Sequence, residues 1–271
     1  MTRPAGVEEL QPGAAAAVLE PRPPKRRRSN RLGSRVEPGV RLVLLGGFEV
    51  RIEGRPVQLA MTAQRVVAFV ALHDRPVRRV YVAGSLWFDV PEERAAASLR
   101  SALWRIHRYC GLIEAAGELL RLDPCVQVDL REAEALARRG LRADGGDDLE
   151  VDASGLAWDL LPGWYDDWVL IKRERFRQLR LRSLDALCDR LSGAGRVGDA
   201  LDVGLLSVAG EPLRESAHRA VVRAHLADGN VSEALRQYRL CEQLLREQLG
   251  IAPSERMSEL IRGLDGLETE G

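Results

Sequence analysis

The chain has 271 residues, 45% of them hydrophobic and 30% charged, with a formal net charge of zero. That is a globular composition with room for two ordinary domains, and it holds no run of roughly 18 apolar residues that could span a membrane. The zero conceals an uneven distribution: net +4 over residues 1–40, +2 over 41–130 and −6 over 131–271. In chain order, residues 1–39 lack apolar periodicity and are rich in proline, glycine and alanine, so they read as a disordered basic tail. Its AAAAVL stretch (14–19) is too short for a secretory signal. Within the tail, PRPPKRRRSNRLGSRV (21–36) holds seven basic residues and no acid. It reads either as a solubilising tail or as an arm attracted to phosphates.

VRLVLLGGFEVRIEGRPVQL (40–59) alternates apolar and polar residues around a turn at Glu53-Gly54, which predicts three short antiparallel strands. Thr62 can cap a helix over AQRVVAFVALH (63–73), with Val66, Val67, Phe69, Val70 and Leu72 facing inward. A short helix follows at 80–87. Asp89 is an N-cap candidate and Pro91 a first-turn proline, and Glu92 and Glu93 suit the positive end of a third helix. After Gly117, LLRL (119–122) and VQVDL (126–130) flank Asp123-Pro124 and read as a hairpin. Sheet, helix, short helix, long helix and hairpin, in that order, are a winged helix preceded by a small sheet. The third helix would enter the major groove and the hairpin would be the wing.

The third helix, ERAAASLRSALWRIHRYC (93–110), has one ordinary and one unusual side. Leu99, Leu103, Ile106 and Cys110 recur at the spacing of a buried stripe. The other side carries Arg94, Arg100, Arg105 and Arg108 with Ser98, Ser101 and Trp104, and no acidic residue occurs between Arg94 and Ile113. Arginine is abundant everywhere in the chain, so its abundance carries no information about nucleic acid. Its placement does: other helices mix both signs, as in KRERFRQLRLRSLDALCDR (172–190).

From 131 onward every pattern is helical. REAEALARRGLR (131–142) precedes a polar break at 144–148, and a helix is expected at about 150–160 before LPG (161–163). A long helix from about Tyr165 to Leu191 would bury Trp168, Ile171, Phe176, Leu179, Leu184 and Leu187. Shorter helices are expected at about 196–207, 213–228, 231–249 and 254–264. GRVGDAL (195–201) and GNVSEAL (229–235) share Gly, Val, Ala and Leu at an offset of 34 residues, the period of tetratricopeptide units.

On these residues the chain resembles the Streptomyces antibiotic regulatory protein type of transcriptional activators, which join an OmpR-like winged helix to a bacterial transcriptional activation domain. LGGFEVRIEGRPVQL resembles the family's opening sheet and SLWFDVPEERAAASLRSALWRIHR its helix-loop-helix. LLPGWYDDWV (160–169) and the stretch from Pro212 to Ser254 resemble its activation domain. The resemblance implies an α+β winged helix over 40–130 and an all-α tetratricopeptide-like domain over 131–271. It also implies binding to double-stranded promoter DNA, often at direct repeats, and recruitment of RNA polymerase. Control of a secondary-metabolite cluster and a cytoplasmic, nucleoid-associated location come with it. Larger members carry an ATPase domain, and this chain, with no GxxxxGK[ST], resembles the short form. The family's wing carries Gly-Tyr at its tip. LRLDPCVQVDL has neither residue, which implies a short wing whose one basic side chain is Arg121.

If the apolar stripe faces the core, Arg100, Ser101 and Arg105 are the candidates for base readout, because arginine can bond both major-groove acceptors of guanine. Arg94, Ser98, Arg108 and Arg121 suit phosphates, and Trp104 suits either a sugar or thymine methyl, or packing against the wing or a second protomer. The loop FDVPEE (88–93) offers Asp89, Glu92 and Glu93 to RNA polymerase, with helix capping as the equal alternative for Asp89 and Glu92. Two protomers head to tail would match tandem half-sites. Trp164 and Trp168 read as core. His73, His107, His218 and His225 and the widely spaced Cys110, Cys125, Cys188 and Cys241 form no metal spacing, and the cysteines are expected reduced and buried. No phosphate loop or nucleophile–base set points to an enzyme or a cofactor. The competing class is a helical-repeat adaptor whose winged helix no longer reads DNA.

Overall fold

The computed structural model describes residues 39–108, 111–142, 152–262 and 264. Strands β1 (Val40–Val43), β2 (Glu49–Ile52) and β3 (Arg55–Val57) lead to helix α1 (Met61–Ala71). A two-residue strand β4 (Val77–Arg78) runs directly into α2 (Arg79–Leu86), and α3 (Glu92–His107) follows. Strands β5 (Ile113–Ala116), β6 (Leu119–Leu122) and β7 (Val126–Val128) come next. The rest is helical: α4 (Asp129–Gly140), a 3-10 turn (Ala153–Leu156), α5 (Asp167–Gly193), α6 (Val197–Gly210), α7 (Glu215–Ala227), α8 (Val231–Leu249) and α9 (Glu255–Ile261).

The opening meander forms as the alternation predicts. Leu42 pairs with Val50 and Val50 with Val57, so one face of β1–β3 is apolar. Glu53 (φ 50°) and Gly54 (φ 76°) both take the left-handed conformation that a two-residue hairpin requires. The sheet has a fourth member: β7 lies parallel to β1, with Leu42 opposite Val128, giving the order β3-β2-β1-β7.

That fourth strand corrects the expected hairpin. The reversal is not at Asp123-Pro124 between LLRL and VQVDL. It is at Ala116-Gly117-Glu118, between β5 and β6, with Gly117 at φ 58° supplying the left-handed residue. Asp123 instead redirects the chain. Its carboxylate accepts the Cys125 N–H at 2.8 Å and its carbonyl accepts the Val126 N–H at 3.0 Å. Val126 and Val128 then point into the core beside β1. The hairpin therefore has two four-residue strands and a glycine at its tip, and it is not the truncated element expected. Strand β4 adds to it through Val77 opposite Leu120.

Smaller expectations are also corrected. Thr62 lies inside α1, whose N-cap is Ala60, and no side chain caps it. Asp89 makes no capping bond either; Pro91 is the cap and its carbonyl accepts the Arg94 and Ala95 N–H groups. The helix expected at 150–160 is, among the described residues, a single 3-10 turn at 153–156 capped by Asp152, whose carboxylate accepts the Ser154 N–H. Along α5, Phe176, Leu184 and Leu187 are buried, but Ile171 is 70% exposed. Cys188 and Cys241 are buried free thiols, pushed up to about 12 and about 11 by burial, while Cys125 is exposed. Cys110, the polar break at 144–148 and the basic tail lie outside the described residues.

One apolar core runs from the sheet and α1–α3 into α4, α5 and α6, through Leu42, Phe69, Ile106, Leu156, Phe176 and Ala200. Polar bonds stitch the same junction. The Asp129 carboxylate, at the start of α4, accepts the N–H groups of Leu44 (2.9 Å), Leu45 (3.1 Å) and Leu130 (2.7 Å). Burial raises its pKa against the lowering effect of those three donors. Leu161 donates its N–H to the Leu44 carbonyl at 2.8 Å, and Arg65 of α1 pairs with Asp166 at 2.6 Å. Phe48 stacks on Trp164, and Trp168 meets Phe69 edge-on.

The repeat is visible in the backbone. Gly195 (φ 73°) and Gly229 (φ 74°) stand at equivalent points between antiparallel helices, and Ala200 and Ala234 are fully buried. Asp189 of α5 and Arg223 of α7, also 34 residues apart, pair at 2.7 Å. A smaller core of Val222, Ala234, Cys241, Leu245 and Met257 closes the last helices.

Candidate nucleic-acid interface

Helix α3 is held from one side. Ala95, Leu99, Ala102, Leu103 and Ile106 are buried against α1, α2 and the hairpin. Full burial of a side chain such as Leu99 or Ile106 contributes about 1.5–3 kcal/mol, so this stripe fixes which arc of the helix remains free. The free arc holds Arg94, Ala97, Arg100, Ser101, Trp104, Arg105 and Arg108, all exposed, with Ser98 half-buried at its edge.

None of the four arginines has a carboxylate partner among the described residues. Many other arginines are answered: Arg41 by Glu132, Arg51 by Glu49, Arg65 by Asp166, Arg177 by Glu174 and Glu211, and Arg214 by Asp185. The two acids of α3, Glu92 and Glu93, sit in its first turn, where the helix dipole favours them. Four unpaired positive side chains on one solvent face repel one another, an arrangement with little folding benefit and a strong attraction for polyanions. Trp104 is 63% exposed, with the Arg108 guanidinium 5.2 Å from its ring centroid, a cation–π stack one helical turn long.

Arg121 is brought to the hairpin but not left free. It pairs across the strands with Glu114 at 2.5 Å. The α2–α3 loop presents Asp89 and, just beyond it, Glu92 and Glu93 to solvent. It also presents Phe88, which is 84% exposed and which the sequence places in this loop without giving it a role. A second omission is the pair Arg78 and Arg79. Arg79 lies at the hairpin tip, its N–H donating to the Glu118 carbonyl at 2.8 Å and its Nε to the Gly117 carbonyl at 3.0 Å. Arg78 beside it is exposed. The adjacent arginines in VRRVY were the available signal. Among the described residues no group of three or more His, Cys, Asp and Glu gathers as a metal site, and no helix is long and apolar enough to cross a membrane.

Residues 128–264 match the bacterial transcriptional activator domain family. Regulatory protein AfsR of Streptomyces griseus is 26% identical over 229 residues, covering 79% of this chain and 23% of the relative. Regulatory protein AfsR of Streptomyces coelicolor is 26% identical over 255 residues, covering 89% of this chain and 26% of the relative. The chain thus spans about a quarter of the length of these curated relatives. A solved structure of Mycobacterium tuberculosis EmbR, in complex with a low-affinity phosphopeptide, superposes with a TM-score of 0.66 at 22% identity, covering 84% of this chain and 65% of that one. That likeness is one of fold: strands in the N-terminal part, then a mostly helical domain. The chain therefore belongs to the bacterial transcriptional activator domain family.

Proposed function

We propose that residues 40–130 are an OmpR-like winged helix that binds promoter DNA through α3, and that residues 131–271 are a tetratricopeptide-like activation domain acting on RNA polymerase. The observation that carries this reading is the exposed, acid-free and unpaired arginine face of α3. Arg100, Ser101 and Arg105, on the exposed face, read base edges. Arg94, Ser98, Trp104 and Arg108 engage sugar and phosphate, with Arg78 of β4 and Arg121 of the wing contributing. Asp89, Glu92 and Glu93, together with Phe88, form the surface offered to the polymerase. The basic tail over 1–39 adds non-specific attraction to phosphate. Two protomers occupy direct repeats head to tail, and the protein works in the cytoplasm on the nucleoid, in the manner of a regulator of a secondary-metabolite cluster.

The test is binding to promoters mapped in the cell, read by fluorescence anisotropy against scrambled duplex at several salt concentrations. A bidentate arginine–guanine contact is worth about 1–3 kcal/mol, so Arg100→Ala with Arg105→Ala should weaken specific binding by at least about 30-fold. Both side chains are exposed and unpaired, so the fold should survive. Undiminished preference for the same promoter in the double variant would put base readout elsewhere. Salt-insensitive binding, or none, would favour a helical-repeat adaptor.

A further inference from the structure

A small cleft of about 30 Å³ lies where the C-terminal end of α1 meets α4 and α5. Ala71, Leu72 and Leu130 form its apolar floor, and its walls carry Arg131, Glu134 and Arg138 from α4, Lys172 and Arg175 from α5, and Asp74. Arg131, Glu134 and Arg138 share one face of α4, and Lys172 and Arg175 one face of α5, because residues three, four or seven apart align on a helix. Four cations therefore converge against two carboxylates. Glu134 is engaged by Arg138 at 2.7 Å. Arg131, Lys172 and Arg175 have no carboxylate partner among the described residues.

This is anomalous for its surroundings. Residues 131–271 carry net charge −6. Arg177, Arg180, Arg214, Arg219 and Arg223 each find a carboxylate. The carbonyl end of α1 and the Asp74 carboxylate are enough to balance about one cation. They leave two or more unanswered around one cleft, where like charges repel one another. Lys172 is also the only lysine among the described residues, a compact ammonium set among guanidinium groups.

We propose that this cleft binds the phosphate group of a small phosphorylated ligand. Arg131, Lys172 and Arg175, around the mouth of the cleft, supply charge-assisted donors to the phosphate oxygens. A multiply charged oxyanion matches a cluster of three cations better than a single carboxylate does. The cleft sits between α1 of the N-terminal part and two helices of the activator domain, so occupancy adds contacts across the junction and stabilises it by mass action.

Pyrophosphate is the probe, titrated into the full chain and followed by calorimetry and thermal unfolding. Saturable binding that raises the midpoint is expected. Lys172→Gln with Arg175→Gln should weaken it by about tenfold or more for each cation removed. Arg236→Gln, on the exposed face of α8, should leave it unchanged. Arg131→Gln alone provides a milder second variant should the double one lose its fold, and it should weaken binding by about tenfold. No saturation by about 10 mM, or equal affinity in wild type and the cleft variants, overturns the proposal. Displacement of pyrophosphate from the cleft by short duplex DNA also overturns it, because the phosphate recognised would then belong to DNA.

Discussion

Arg173→Met should be the most damaging single change at the junction between the two parts of the molecule, although Arg173 touches no candidate DNA contact. Its guanidinium collects three backbone carbonyls of one tight segment: Leu160 at 2.7 Å, Leu161, and Trp164 at 2.8 Å. That segment is the part of LLPGW that reaches the end of β1, through the Leu45–Leu160 bridge and the Leu161 N–H on the Leu44 carbonyl. Trp164 then stacks on Phe48, their ring centroids 5.9 Å apart. Leu161 is fully buried and held at φ 43°, a conformation that costs a non-glycine residue about 1–2 kcal/mol. Three bonds to a charged donor, each worth about 1.5–3 kcal/mol, offset that strain. The group is half-buried, so water recovers part of the loss on substitution, and a net destabilisation of about 3 kcal/mol remains. For a unit of this size that corresponds to a fall in Tm of roughly 6–12 °C. Urea unfolding followed by tryptophan fluorescence and far-ultraviolet circular dichroism measures it, because Trp164 reports the junction directly. Methionine keeps the apolar stem, so the loss isolates the guanidinium. Arg173→Lys, which cannot span three carbonyls, should recover only part of it. A loss below about 1 kcal/mol for Arg173→Met would refute the reasoning, and the carbonyls would then be satisfied without the side chain.

Two further outcomes follow from local geometry. His218 is fully buried, its Nε2–H donating to the Pro212 carbonyl at 2.9 Å and its Nδ1 accepting from Gln237 at 2.8 Å, and burial depresses its pKa below the ordinary histidine value. A depressed folded pKa means that the unfolded chain binds the proton more readily, so stability present above about pH 6.5 is lost as pH falls below it. Urea titrations between about pH 7.5 and 5 should show this decline in the wild type and a shallower one in His218→Gln; parallel curves would remove His218 as the cause. Glu114→Gln should release Arg121 on the hairpin at little cost to stability, the pair being about half exposed. If the hairpin meets DNA, the slope of log affinity against log salt steepens by about 0.9; an unchanged slope would keep Arg121 away from phosphate.

What the sequence disclosed and what it hid follow from the range over which each signal acts. The α3 face was legible because helical periodicity is local: Leu99, Leu103 and Ile106 mark the buried stripe, and the side chains opposite them must be free. The repeat was legible because it is written twice, in glycine and alanine at positions where backbone shape and close helix approach leave few alternatives. The hairpin was misread because LLRL and VQV are both alternating apolar segments, and a turn-forming Asp-Pro between them is a plausible reversal. What decided otherwise was partnership at long range: β7 pairs with β1, 86 residues earlier in register, and no local pattern encodes that choice. The same limit applies to charge. Arg94, Arg100, Arg105 and Arg108 stood out because acids are missing from their own helix, which composition along the chain reveals. Arg131, Lys172 and Arg175 did not stand out, since each has acids nearby in sequence and only the packing of α4 against α5 brings all three to one cleft. Arg121 illustrates the converse, a cation that looks free in sequence and is neutralised by a residue seven positions back, across a turn. Unpaired charge is a property of the fold, and two basic surfaces among the described residues, the expected one on α3 and the unexpected one in the cleft, are identified by the carboxylates they lack.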